Sequence, residues 1–87
     1  MWHVYLLLCR NGALYVGVTN DLSRRWGEHR TGRGGHYTKR NPPVRIVYTE
    51  QFPTRAMAEE RERQLKGWTR RKKLALAAGN MELLNRL

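Results

Sequence analysis

Apolar residues in this chain come in short clusters separated by turn signals, and the first two clusters organise the rest. Trp2 to Cys9 (WHVYLLLC) is nearly continuous in apolar character, the pattern of a strand central in a sheet or covered on both faces. Leu14 to Val18 (LYVGV) follows across Asn11-Gly12. An Asn-Gly pair between apolar runs is a strong hairpin signal, so the chain should open with two antiparallel strands. Tyr5 and Tyr15 sit one on each strand. A two-residue turn at Asn11-Gly12 pairs Leu8 with Tyr15 and sends the two tyrosines to opposite faces. A three-residue loop, Arg10-Asn11-Gly12 with Gly12 left-handed, pairs Leu7 with Tyr15 and puts both phenols on one face. Local propensity permits either register.

The period then changes. Thr19-Asn20-Asp21 is a helix-start cluster with Asn20 or Asp21 as cap. The helix should run to about Arg30 and stop in the Thr31-Gly32-Arg33-Gly34-Gly35 stretch. Its buried stripe takes Leu22 and Trp26 and, at the same spacing, Arg25 and His29. Gly27 inside it is a weak point, costing roughly 1 kcal/mol against alanine. Gly32 to Pro43 reads as an exposed basic loop. Val44 to Glu50 (VRIVYTE) alternates and is β-branched, a third strand. After Pro53, Thr54 can cap a helix from Arg55 to about Trp68. There Ala58, Glu62 and Leu65 fall at i, i+4 and i+7, so Glu62 borders the buried stripe. Thr69 caps a basic helix beginning Arg70-Arg71-Lys72-Lys73 and closing at Gly79, and Asn80 to Leu87 reads as a short terminal helix. No repeat or long linker divides residues 1–87, which read as a single domain with its core in about 2–79.

Composition narrows the class. A chain of 87 residues builds only a thin core. Its 17 basic and 7 acidic residues give a formal charge of +10, concentrated in Arg24 to Arg45 and Arg61 to Lys73. Such a surface favours a polyanionic partner, most commonly nucleic acid. Cys9 is the sole cysteine, which excludes an internal disulfide and a cysteine-based metal site. Its apolar strand context reads as a small buried hydrophobe. The run Val4 to Leu8 is too short to span a bilayer, and no signal-type segment opens the chain. The expectation is a cytoplasmic protein with no membrane partner.

Taken singly, the polar residues near the buried stripes have ordinary explanations. Tyr5 and Tyr15 fit strand tyrosines with one wet end, Arg25 and His29 fit a solvated helix face, and Glu62 can pair with Lys66 for about 0.3–0.5 kcal/mol. Together they occupy positions that simple packing would give to apolar residues. Their order also resembles a known family. His3-Val4-Tyr5 is followed by Tyr15-Val16-Gly17, then Arg25, His29 one helical turn later, and Glu62 in a following helix. This series resembles the GIY-YIG nuclease superfamily, with His3 for Gly, Val4 for Ile and Val16 for Ile as departures. Glu62-Arg63-Gln64-Leu65-Lys66-Gly67-Trp68 and Tyr37-Thr38 resemble its small stand-alone bacterial YhbQ-like branch.

The resemblance, covering roughly Trp2 to Gly79, implies an α+β fold: a β-β-α-β-α core with a three-stranded antiparallel sheet flanked by helices, here followed by C-terminal helices. It implies DNA phosphodiester hydrolysis, in repair or on branched DNA, with one divalent metal, Mg²⁺ or Mn²⁺, on Glu62. The residue types suit that chemistry. Arg25 is a permanently charged fork for non-bridging phosphate oxygens, and a carboxylate is a hard ligand for Mg²⁺. A tyrosine can act on the attacking water once its pKa, near 10 when free, is lowered. The favoured assignment makes Tyr5 the base, His29 the acceptor of its proton and Tyr15 the holder of the phosphate or water network; the reversed roles stay open. Gly17 would let backbone approach the scissile phosphate. Several relatives carry lysine after that glycine; Val18 here shifts proton acceptance to His29. Phosphate contacts fall to His36, Lys39, Arg40, Lys66, Arg70, Arg71 and Lys72, with Arg45 and Lys73 beside them, giving salt-sensitive and largely sequence-blind binding. No helix-turn-helix or zinc-finger pattern accompanies them, so strand state, DNA structure or a targeting protein partner would guide cutting. The alternative is a non-catalytic basic module that binds DNA or RNA and keeps the fold.

Overall fold

The first hairpin closes as the three-residue loop. In the computed structural model, which describes residues 1–33 and 40–87, Gly12 is left-handed at φ 85°. The Gly12 N–H donates to the Cys9 carbonyl and the Cys9 N–H to the Ala13 carbonyl, each at 2.9 Å. Strands β1 (Trp2–Cys9) and β2 (Leu14–Thr19) therefore pair with Leu7 opposite Tyr15 and Tyr5 opposite Gly17. Side-chain sorting explains the choice. In this register Val4, Leu6, Val16 and Val18 share one face, whereas a one-residue slip would exchange Val16 and Val18 for Tyr15 and Gly17.

The remaining elements are α1 (Leu22–Arg30), β3 (Pro43–Phe52), α2 (Arg55–Lys66), α3 (Arg70–Ala77) and α4 (Met81–Arg86). The fold is α+β, with one antiparallel sheet in the order β2-β1-β3. Central placement of β1 explains its unbroken apolar run: Val4, Tyr5, Leu6 and Leu7 are all at most 1% exposed. Val4, Leu6 and Val16 pack against Ala58 and Leu65 of α2 and Leu76 of α3. Burying a leucine such as Leu6 or Leu65 stabilises the fold by roughly 1.5–3 kcal/mol. Helix α1 covers the opposite, tyrosine-bearing face, and its one buried residue is His29. Leu22, Trp26 and Arg25 of its expected stripe are only half-buried.

Capping follows the sequence closely. Asp21 accepts from the Arg24 N–H, Thr54 from Met57, Thr69 from Lys72 and Asn80 from Leu83, at 3.0–3.2 Å. Helix α2 stops at Lys66 rather than Trp68, because Gly67 takes the cap position. Strand β3 is longer than its alternating core, from Pro43 to Phe52, and its register against β1 shifts between Leu6 and Leu7. The shift absorbs one extra β3 residue, Val47, between the partners Tyr48 and Ile46. The basic loop expected to carry His36, Tyr37, Thr38 and Lys39 lies outside the described residues at 34–39. Among the described residues no helix is long and apolar enough to cross a membrane.

Candidate active site

The site grows out of the hairpin register. Tyr5 and Tyr15 lie on one face with ring centroids 6.3 Å apart, and Gly17 sits directly across from Tyr5. A Cβ at Gly17 would overlap Cζ and Oη of Tyr5 and lie 2.8 Å from its Cε1. The room this glycine leaves is thus filled by the Tyr5 phenol, a use different from the backbone approach expected of it.

Helix α1 supplies the next two groups from positions i and i+4. The Tyr5 Oη and His29 Nε2 are 2.7 Å apart. The Arg25 Nε–H donates to the same Oη at 3.4 Å. With Arg25 donating, the phenol keeps its own hydrogen to offer, and neutral Nε2 is the acceptor within reach; the imidazole proton then sits on Nδ1. The His29 ring also stands edge-on to Tyr15, 5.1 Å between centroids. Arg25 reaches both phenols, since hydrogen bonds to Tyr5 and to Tyr15 raise its pKa against the opposing effect of burial.

Burial sets the protonation states. Tyr5 is 1% exposed, and desolvation lifts its pKa to about 12, with hydrogen bonding to Arg25 pulling the other way. His29 is equally enclosed; desolvation first and the Arg25 charge second lower its pKa to about 4. Near neutral pH the pair is a phenol against an uncharged imidazole. Cys9, buried on the same strand, has its thiol pKa raised by desolvation and behaves as the small hydrophobe expected of it.

Glu62 arrives from α2. Its side chain is 24% exposed and pairs with Lys66 Nζ at 3.4 Å, the ordinary i,i+4 contact. Its charge is the last of those raising the Tyr5 pKa, so it acts on the tyrosine site through space rather than by contact. Among the described residues no group of three His, Cys, Asp or Glu gathers to cage a metal ion. A single partly open carboxylate nonetheless fits Mg²⁺ or Mn²⁺, which keep several waters and take one or two protein oxygens together with substrate phosphate. Glu62 is a donor of that kind.

Tyr5, Tyr15, Arg25 and His29 therefore form one cluster, with Gly17 behind it and Glu62 in electrostatic reach. The expected phosphate contacts are more scattered. Arg40 and Arg71 are exposed, and Lys66 is occupied with Glu62. Arg70 donates from Nε to the Gly12 carbonyl at 2.9 Å, tying α3 to the hairpin. Lys72 lies over the Trp68 ring at 4.3 Å. Part of that basic run thus holds the fold together. Sequence reasoning passed over Glu28, 3.6 Å from Arg25, and over Arg24, Arg55 and Trp2, which line the same groove as Arg25. The adjacent Arg24-Arg25 pair was the one visible signal.

A model of the GIY-YIG catalytic domain matches residues 1–75. The chain belongs to the GIY-YIG family. This GIY-YIG domain is 51% identical over 74 residues to the UPF0213 protein XAC3202 of Xanthomonas axonopodis, covering 85% of this chain and 72% of that one. It is 44% identical over 75 residues to the UPF0213 protein HQ_3675A of Haloquadratum walsbyi, covering 86% and 84%. The solution structure of the UPF0213 protein BH0048 from Bacillus halodurans superposes with a TM-score of 0.56 at 39% identity, over 90% of this chain and 84% of that one. Those names state kinship rather than a reaction. The GIY-YIG domain itself is a nuclease domain, acting on nucleic acid and generally with a divalent metal.

Proposed function

We propose that this GIY-YIG domain is a metal-dependent endonuclease that hydrolyses DNA phosphodiester bonds, acting on damaged or branched DNA. The observation that carries the reading is the Tyr5 Oη to His29 Nε2 contact at 2.7 Å, with Arg25 Nε on the same oxygen. A water-activating base needs an acceptor for its proton, and His29, uncharged above about pH 4, is one. Arg25 holds the phenol in line and offers a fixed positive charge to the reacting phosphate. Tyr15 orients the phosphate or the attacking water from the more open side of the cluster. A divalent cation held by Glu62 would supply charge stabilisation for the pentacovalent phosphorus and acidify nearby O–H groups.

Magnitudes limit how the pair works. Moving a proton from a phenol with a pKa of about 12 to an imidazole with one of about 4 costs about 11 kcal/mol in the substrate-free chain, before their mutual attraction. The resting site therefore holds the neutral pair, and the proton leaves Tyr5 as it takes one from water. Nicking of branched or supercoiled DNA with Mg²⁺ or Mn²⁺ tests this. Wild type should cut and Glu62→Ala should not, while equal residual activity in both would reject the enzyme. The enclosure of Tyr5 favours a second reading, a non-catalytic nucleic-acid-binding module, which that result would leave standing.

A further inference from the structure

Beside the tyrosine cluster, a polar groove of about 380 Å³ runs between the starts of α1 and α2, with the Thr19 end of edge strand β2 as its floor. Its walls carry Arg24 and Arg25 from α1, Arg55 from α2 and the ring of Trp2, against one carboxylate, Glu28. We propose that this groove carries the DNA strand away from the reacting phosphate, with Arg24 and Arg55 each holding a backbone phosphate of the flanking nucleotides. The inference rests on the nuclease reading above for its substrate and extends it to a direction of travel.

Three observations support the assignment. Both new arginines already have partners before any ligand arrives. Arg24 donates from Nη2 to Asn20 at 3.3 Å; the Arg55 guanidinium lies 5.3 Å from the Trp2 ring centre, with its Nε on Glu59 at 2.6 Å. A fork already oriented loses less entropy on gripping a phosphate. Second, the charge balance of the groove favours a polyanion: with Glu59 on Arg55 counted beside Glu28, guanidiniums outnumber carboxylates three to two. Third, the groove is continuous with the cluster. Arg25 lines it while also donating to Tyr5, and Arg55 lies seven residues before Glu62 on the same side of α2, about 10 Å along the axis. A strand with its reacting phosphate between Arg25 and Glu62 then meets Arg24 and Arg55 as it leaves.

The test is equilibrium binding of a single-stranded deoxyoligonucleotide to Glu62→Gln protein in EDTA, where cleavage plays no part. Adding Arg24→Gln and Arg55→Gln should lower affinity about 25-fold at 0.1 M salt and flatten the log K against log salt slope by about 1.4, the counterion release of two single-strand phosphates. Lysine at both positions should restore most of the slope, which separates lost charge from lost folding. The control is Arg10→Gln with Arg86→Gln, of equal charge change, one at the far hairpin and one on α4. An equal loss in control and test overturns the groove in favour of general charge. Tighter binding of the matching ribo-oligonucleotide through the same two arginines overturns the choice of DNA. Groove-dependent binding in a wild-type chain that never nicks would sink the nuclease reading and leave the groove.

Discussion

Replacing Gly17 by alanine sets two effects of opposite sign against each other. Gly17 is not among the left-handed glycines, so its backbone suits alanine, and reduced freedom of the unfolded chain alone would stabilise by about 0.4–1 kcal/mol. The methyl, however, would overlap Cζ and Oη of Tyr5. That ring cannot swing aside cheaply, being 1% exposed and fixed between His29 and Arg25. Overpacking of this kind costs about 1–3 kcal/mol. A displaced phenol that orphans its buried partner adds about 1–3 kcal/mol. The steric cost wins, and a net loss of about 1–6 kcal/mol is expected, a large share of the stability of a small domain. Urea unfolding followed by circular dichroism reads it directly. The deciding measurement is a double-mutant cycle with Tyr5→Ala. That change alone should cost about 3–5 kcal/mol, yet adding alanine at Gly17 on top should cost nothing more, since the ring is gone. Strictly additive costs, or a Gly17→Ala protein as stable as wild type, would refute the packing argument.

Acid should loosen the same site. The folded pKa of His29, about 4, lies below the 6.5 of the unfolded chain, so between those values the unfolded state binds more protons and stability rises with pH. The contribution is complete above pH 6.5 and lost as pH falls through 4, at most about 3 kcal/mol. Its neighbours Arg25, Glu28, Tyr5 and Tyr15 share the pocket, so the check is a comparison with His29→Gln, whose pH slope in that window should be shallower; identical slopes would contradict it. Tyr5→Phe should keep the fold and lose about 10²–10⁴-fold in nicking rate, whereas activity within a few-fold of wild type would remove Tyr5 from the chemistry. Gly27→Ala should stabilise by up to about 1 kcal/mol, since nothing lies within 4 Å of the added methyl; a lower melting temperature would show that α1 needs the glycine.

What the sequence by itself determined is what depends on neighbours a few residues apart. The Asn11-Gly12 turn, the caps at Thr54 and Thr69, and the stripe of Ala58 and Leu65 were legible, and Asp21 was one of two candidate caps, because turns, caps and helical periods are short-range physics. The series from Tyr5 to Glu62 was legible too, as order and spacing. Register was a borderline matter. Local turn chemistry permitted two pairings, and burial of Val16 and Val18 with Val4 and Leu6, rather than with the tyrosines, selected one. Only the tertiary structure decided that the Tyr5 phenol fills the place of a missing Gly17 side chain, that Arg70 is used to hold the hairpin, and that Arg24 and Arg55, far apart in the chain, line one groove at the end of β2. Those pairings depend on how helices lie across a sheet, and no local propensity encodes a helix's position over a strand many residues away.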